Sequence, residues 1–310
     1  MKKIMKRSLL FALGIMATMH SGQLFAQENS LWAINEKAMY EDAGASPRSG
    51  SNQSGYDGLA PWFVRKYQVQ GGLFMPFNNT NVRVTGNQGI IGTDIDFEKD
   101  LGFNKHSFSA YGAFKWQISR RSRINLSYFY LGRSATHTLE RTVEFNDHTY
   151  TAQASVHAYF NANISRISYS YAILSRPKYE AGLMIGAHVL GMKVGMGLDA
   201  SIGSIDYSTN YKLTAPLPDI GVFGGYAITD KLAVNVEASY LALTIGNING
   251  HVLNYNLAIQ YEVYRNLGIS LSYTGLDFKV TDDGDNLNGY LKWGYNGPAL
   301  TVTYSFGKGF

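Results

Sequence analysis

Ala299-Leu300-Thr301-Val302-Thr303-Tyr304-Ser305-Phe306-Gly307-Lys308-Gly309-Phe310 stands at the end of the sequence. In an extended strand successive side chains point to opposite faces, so Leu300, Val302, Tyr304, Phe306 and Phe310 share one side. Thr301, Thr303, Ser305, Gly307 and Gly309 share the other, and Lys308 alone breaks the apolar side. One face is bulky and aromatic; the other is small and polar.

The same alternation recurs upstream from Arg65. Tyr67, Val69, Leu73, Met75 and Phe77 fall on one face, as do Ile124, Leu126, Tyr128 and Tyr130, and Leu253, Tyr255, Leu257, Ile259, Tyr261 and Val263. Ten such segments run to Phe310, an even number, as closed bacterial barrels require. Period two alone does not separate a membrane barrel from a soluble one, because both alternate. The opposite faces decide it: Gln68, Gln70, Ser107, Asn125, Ser127, Ser168, Asn254 and Ser270 are small and uncharged where a soluble barrel would show water Lys and Glu. Tyr and Trp are left for the lipid side.

Composition agrees, with only 16% charged residues against 14% aromatic, 22 Tyr and 33 Gly. Lys2, Lys3, Lys6 and Arg7 followed by an apolar run from Leu9 to Met19 read as a secretory signal peptide over 1–26, cut after Ala26. The run is shorter than the roughly 20 residues of a spanning helix. That leader carries four of the 27 basic residues, leaving 23 against 23 acidic ones, so the basic pI asks for no nucleic-acid partner. The absence of cysteine excludes a lipoprotein anchor and a disulfide scaffold. Residues 27–64 are expected to form a periplasmic segment and linker to the first strand, or else a plug folded into the lumen; 65–310 form the barrel.

Tight joins near 119–122, 175–177, 229–230 and 264–266 alternate with longer ones at 78–104, 134–163, 190–216, 246–250 and 281–289. Outer-membrane barrels pair short periplasmic turns with longer external loops, so both termini fall on the periplasmic side. Within the second long connection, 141–145 and 148–156 are expected to extend two strands as a hairpin around Asn146-Asp147. The stretches Gly92–Phe103, Arg123–Arg133 and Arg166–Tyr171 resemble a poorly characterised group of Gram-negative outer-membrane β-barrels. The resemblance covers most of the chain from about Arg65 onward. It implies an all-β, closed antiparallel transmembrane barrel of about ten strands, located in the outer membrane. It implies contact with outer-membrane lipids and lipopolysaccharide, and recognition of Tyr304, Phe306 and Phe310 by the barrel assembly machinery. It brings no substrate, cofactor or catalytic residue.

By strand parity Lys115, Arg133, Arg166, Lys178, Glu180, Asp219, Glu237 and Glu262 point into the lumen. Buried charges must be paired, so a salt-bridged network filling a narrow cylinder is the first reading; a small polar pore tuned by those charges is the alternative. A rim hydrolase would draw on Asp94, Asp96, Glu98, His106, His137, Asp147, His148 and His157, but no spacing links them into an acid–base set. Asp282-Asp283-Gly284-Asp285-Asn286 lacks the bidentate Glu of a calcium loop and reads as a solvated turn. Gly191–Gly197 lacks the lysine and serine of a phosphate loop. The expectation is a non-enzymatic barrel with a structural, small-solute or surface role. A rim hydrolase and an adhesin acting through the long loops are the alternatives.

Overall fold

The computed structural model describes residues 60–85, 92–198, 208–246, 248–284 and 287–307, all within the unit Ser54–Phe310. The leader, its cut, residues 27–59 and Phe310 lie outside the described residues. The strands are β1 (Tyr67–Phe74), β2 (Phe77–Val84), β3 (Ile95–Asp96), β4 (Ser109–Gln117), β5 (Ser122–Thr138), β6 (Val143–Phe145) and β7 (His148–Tyr150). They continue with β8 (Ser155–Ser175), β9 (Tyr179–Leu198), β10 (Ser208–Ala227), β11 (Leu232–Ile245), β12 (Ile248–Tyr264), β13 (Leu267–Gly284) and β14 (Leu287–Phe306), and a single helical turn, α1, spans Phe97–Asp100. Among the described residues no helix is long and apolar enough to cross a membrane.

Neighbouring wall strands pair antiparallel in sequence order, and β14 returns to β1 to close the ring. β1 and β2 lie on β14 in one continuous register, Phe74 opposite Ala299 and Phe77 opposite Asn296. They are therefore two halves of one wall strand, broken at Met75-Pro76 because proline has no N–H for the ladder. β4 pairs with β1 and, further up, β3 pairs with β2, so these too share one place in the wall. Counted this way the wall has the ten strands expected. Residues 78–84, read from the sequence as loop, are strand.

The other long connections also shrink. β5 runs on to Thr138, β9 to Leu198 and β13 to Gly284, while β8, β10 and β14 begin well before the points where their lipid-facing residues start. The hairpin at Asn146-Asp147 forms, with both residues at positive φ as a tight two-residue turn requires. Its strands β6 and β7 make a separate two-stranded sheet and do not extend the wall. β10 and β11 pair only from Ile220–Tyr240 downward; above that point Pro218 and Pro216 of β10 keep their place beside β9 but have no partner on the β11 side, an edge position that tolerates proline.

The reason the strands outrun their expected ends is a reversal of polarity partway up the wall. On β14, Leu300, Val302, Tyr304 and Phe306 face outward and Thr301, Thr303 and Ser305 inward; further up, Leu291, Trp293 and Tyr295 face inward and Lys292, Gly294 and Asn296 outward. β8 does the same, with Ile167, Tyr169 and Tyr171 outward below and Val156, Phe160 and Ile164 buried inside above. β13 turns over between Thr274 and Leu276. The lower part is a barrel turned inside out for lipid; the upper part is built like a soluble protein. On β12 the outward apolar residues run from Leu253 to Val263, eleven positions, matching the roughly 9–11 residues a tilted strand needs to span a bilayer.

Candidate functional site in the lumen

The upper lumen is closed by aromatic side chains. Trp293, fully buried, meets Phe160 at 5.1 Å, Phe278 at 5.9 Å and Tyr295 at 5.3 Å between ring centroids; Tyr295 in turn meets Phe74 at 5.4 Å and Phe129 at 5.3 Å. Most of these pairs are edge-to-face, the arrangement aromatic quadrupoles prefer. Trp293 also donates its indole N–H to Asn78 Oδ1 at 3.3 Å. The segment carrying β3 and α1 folds onto this layer, with Phe97 packed on Phe160 and Phe103.

That segment contains three of the acids a rim hydrolase would draw on, Asp94, Asp96 and Glu98, and each of the three is occupied. Glu98 is ion-paired with Arg133 and accepts from the Thr80 amide at 2.8 Å. Arg133 further donates to Thr80 Oγ1 and to the Asn104 carbonyl, both at 3.0 Å, and lies over the Phe103 ring. Asp96 caps α1, accepting from the amides of Glu98 and Lys99. Asp94 is bound by Arg83, and that hydrogen bond holds its carboxyl below the usual carboxylate range. Asp100 pairs with Arg141 at 2.7 Å.

Beneath the aromatic layer lies the polar half. Arg166, from β8, reaches Asp219 of β10 at 3.0 Å and Glu237 of β11 at 3.6 Å. His188 of β9 approaches the same Asp219 at 3.0 Å. Arg123 pairs with Glu180 and stacks on Phe223 at 4.0 Å. Lys115 lies within Coulomb range of Glu237, Glu180 and Arg123. At the turn end Glu262 pairs with Arg65 at 3.1 Å. Ala60, Phe63 and Val64 are buried there against Ala227 and Ala233, and Phe63 lies so close over Gly225 that a Cβ on that glycine would sit 2.7 Å from its ring. Trp62 donates to the Thr229 carbonyl. A cavity of about 10 Å³ at this mouth is lined in part by Phe63, Arg65, Gln68 and Glu262.

The structure thus places Lys115, Arg166, Glu180, Asp219 and Glu237 in one layer, Glu262 at the mouth and Arg133 above the aromatic closure. Lys178 is not in the lumen. The β8–β9 turn lifts it out, exposed, because the strand ends at Ser175 and parity no longer applies. Arg123 and His188 were legible by parity, being neighbours of the outward Ile124 and Val189; Glu98 and Arg65 lie outside regular alternation and carry no such signal. Tyr304 and Phe306 face lipid and stack at 6.1 Å, Phe306 also stacking on Tyr67 across the closing seam. Among the described residues no three metal-capable side chains converge.

No protein-family model matches this chain, and no curated protein matches its sequence. Solved structures do match its fold. The outer-membrane protease OmpT of Escherichia coli superposes with a TM-score of 0.51 at 13% identity, covering 77% of this chain and 96% of that one. OprG of Pseudomonas aeruginosa gives 0.34 at 8% identity (78% and 97% covered), and the P. putida toluene transporter TodX 0.31 at 9% (78% and 90%). The OmpT likeness speaks for fold and for fold alone. With the lipid-facing band described above, it makes the chain an integral outer-membrane β-barrel.

Proposed function

We propose that this protein is a sealed outer-membrane barrel, neither pore nor enzyme, whose role lies in the surface it holds above the membrane. The aromatic layer of Phe74, Phe129, Phe160, Phe278, Trp293 and Tyr295 carries this reading, since it crosses the lumen above a layer in which Arg123 is paired with Glu180 and Arg166 with Asp219 and Glu237. A conducting pathway needs a continuous polar lining, and dry aromatic packing removes it. The ion-paired layer below stabilises the cylinder against hydration and separation of its strands, and the apolar core above supports β5, β8–β10, β13 and β14 as they rise beyond the lipid.

The protease reading has one observation in its favour, the OmpT fold. Against it, Asp94, Asp96, Glu98 and Asp100 are engaged by Arg83, the α1 amides, Arg133 and Arg141, and the half-exposed His251–Asp277 pair, 3.7 Å apart, lies on the outward-facing side of β12 and β13. Purified protein in planar bilayers tests the proposal: it should pass no steady current, and Trp293→Ala combined with Phe160→Ala should introduce one. Steady conductance of the unmodified protein, or peptide hydrolysis abolished by His251→Ala, would overturn it.

A further inference from the structure

Twice around the barrel, two lysines stand directly opposite each other on the outer face above the lipid band. Lys193 of β9 is the register partner of Lys212 of β10, and Lys279 of β13 that of Lys292 of β14. Like charges in that position repel and destabilise a sheet. None of the four makes an ion pair among the described residues. The nearby acids are engaged, Asp277 with His251 and Asp94 with Arg83.

Both pairs have the same setting. Lys193 lies 5.2 Å over the ring of Tyr159, and Lys279 lies 5.1 Å over that of Tyr290, which Arg83 also approaches at 5.6 Å. Asn161 flanks Lys193 across the sheet, and Asn81 flanks Lys292. A tyrosine face fixes the direction of an ammonium without neutralising it. The two sites are separated by β11 and β12, so one does not follow from the other.

Position selects the partner. These side chains point sideways from the wall, four residues beyond the outward Val189 on β9 and six beyond Tyr273 on β13. On the partner strands Lys212 and Lys292 each lie eight residues beyond the outward Ile220 and Leu300; at about 3.3 Å per residue and a tilt near 40°, the pairs stand about 10–20 Å above the apolar band. Such a height meets the charged sugar layer of the surrounding glycolipid, not its acyl chains and not the open exterior. We propose that the Lys193–Lys212 and Lys279–Lys292 pairs, each backed by its tyrosine, are two binding sites for phosphate groups of lipopolysaccharide. An anion shared between paired ammonium groups removes their repulsion and forms charge-assisted hydrogen bonds, with Asn161 or Asn81 at the side for the sugar.

The test uses the full chain purified in neutral detergent, titrated with rough lipopolysaccharide and with the same glycolipid stripped of phosphate, and followed by native mass spectrometry and by thermal midpoint. The unmodified protein should bind the phosphorylated form, and Lys193→Gln/Lys212→Gln or Lys279→Gln/Lys292→Gln should each weaken its site about tenfold. Lys→Arg at the same positions should retain binding. Without glycolipid the glutamine variants should melt no lower than the parent, because a repulsion has been removed, and their heat-modifiable gel shift reports that they fold. Equal binding of phosphorylated and stripped glycolipid, or wild-type affinity in the fourfold glutamine variant, would overturn the proposal. Preference for a soluble sulfated polysaccharide over the glycolipid would overturn the choice of partner.

Discussion

The lower and upper halves of the same wall solve opposite solvation problems with one alternating strand. Below, water-excluded surroundings force apolar side chains outward and leave small polar residues and paired charges inside; above, aqueous surroundings reverse both assignments. β14 shows it within twenty residues, with Thr301 and Ser305 inside below and Trp293 and Tyr295 inside above. The pairing of β14 with β13 runs unbroken across the boundary, and only the medium outside it changes. A strand can therefore continue while its hydrophobic face changes side, and the lumen becomes a solid core where the outer surface becomes wet.

Single substitutions on each half should separate the two. Trp293→Ala removes the centre of the aromatic layer and should cost about 3–5 kcal/mol in equilibrium unfolding in micelles. Thr301→Ala, inward on the same strand but in the polar half, loses a hydrogen bond from Gln70 at 2.8 Å and should cost only about 0.5–1.5 kcal/mol. Equal costs would erase the distinction. Arg133→Met strands a buried Glu98 and should also cost about 3–5 kcal/mol, with part recovered by adding Glu98→Gln; full tolerance would show that the pair does not anchor α1.

On the outer face the contrast should reverse. Leu257→Arg, in the lipid band, should cost about 2–4 kcal/mol, whereas Ser134→Arg, exposed on β5 above it, should stay within about 0.5 kcal/mol. The smallest effect is the exposed Arg83–Asp94 pair. The Asp94 pKa is lowered in the folded chain, so its contribution is present above the ordinary carboxylate value of 3.8 and is lost as pH falls through the lower folded value. Exposure limits it to a fraction of a kcal/mol. Asp94→Asn should flatten that acid limb slightly and leave stability at pH 7 almost unchanged.

The lower half was legible in the sequence because its outward residues are large, apolar and aromatic while their neighbours are small. The upper half carries an equally regular pattern, Val156, Ala158, Phe160, Ala162 and Ile164 at every second place, in phase with Arg166 and Ser168 below. A search for one lipid-facing side stops at the reversal, and that is why residues 78–84, 157–163 and 208–216 read as loops. The same parity carried Lys115, Arg166, Glu180, Asp219, Glu237 and Glu262 into the lumen and overreached at Lys178, which sits past the strand end. Partners supplied by irregular segments, Glu98 for Arg133 and Arg65 for Glu262, required the three-dimensional arrangement.

The chain has no cysteine, so each one introduced is a unique probe, and a cysteine scan along β14 tests the reversal most directly. With a membrane-impermeant maleimide applied to intact cells, Lys292→Cys and Asn296→Cys should label rapidly. Trp293→Cys and Tyr295→Cys should stay protected inside the core, and Leu300→Cys and Val302→Cys should stay protected by lipid. Labelling of the positions 293 and 295 as fast as that of 292 and 296 would mean an open, hydrated upper lumen, and the account of a sealed barrel would be wrong.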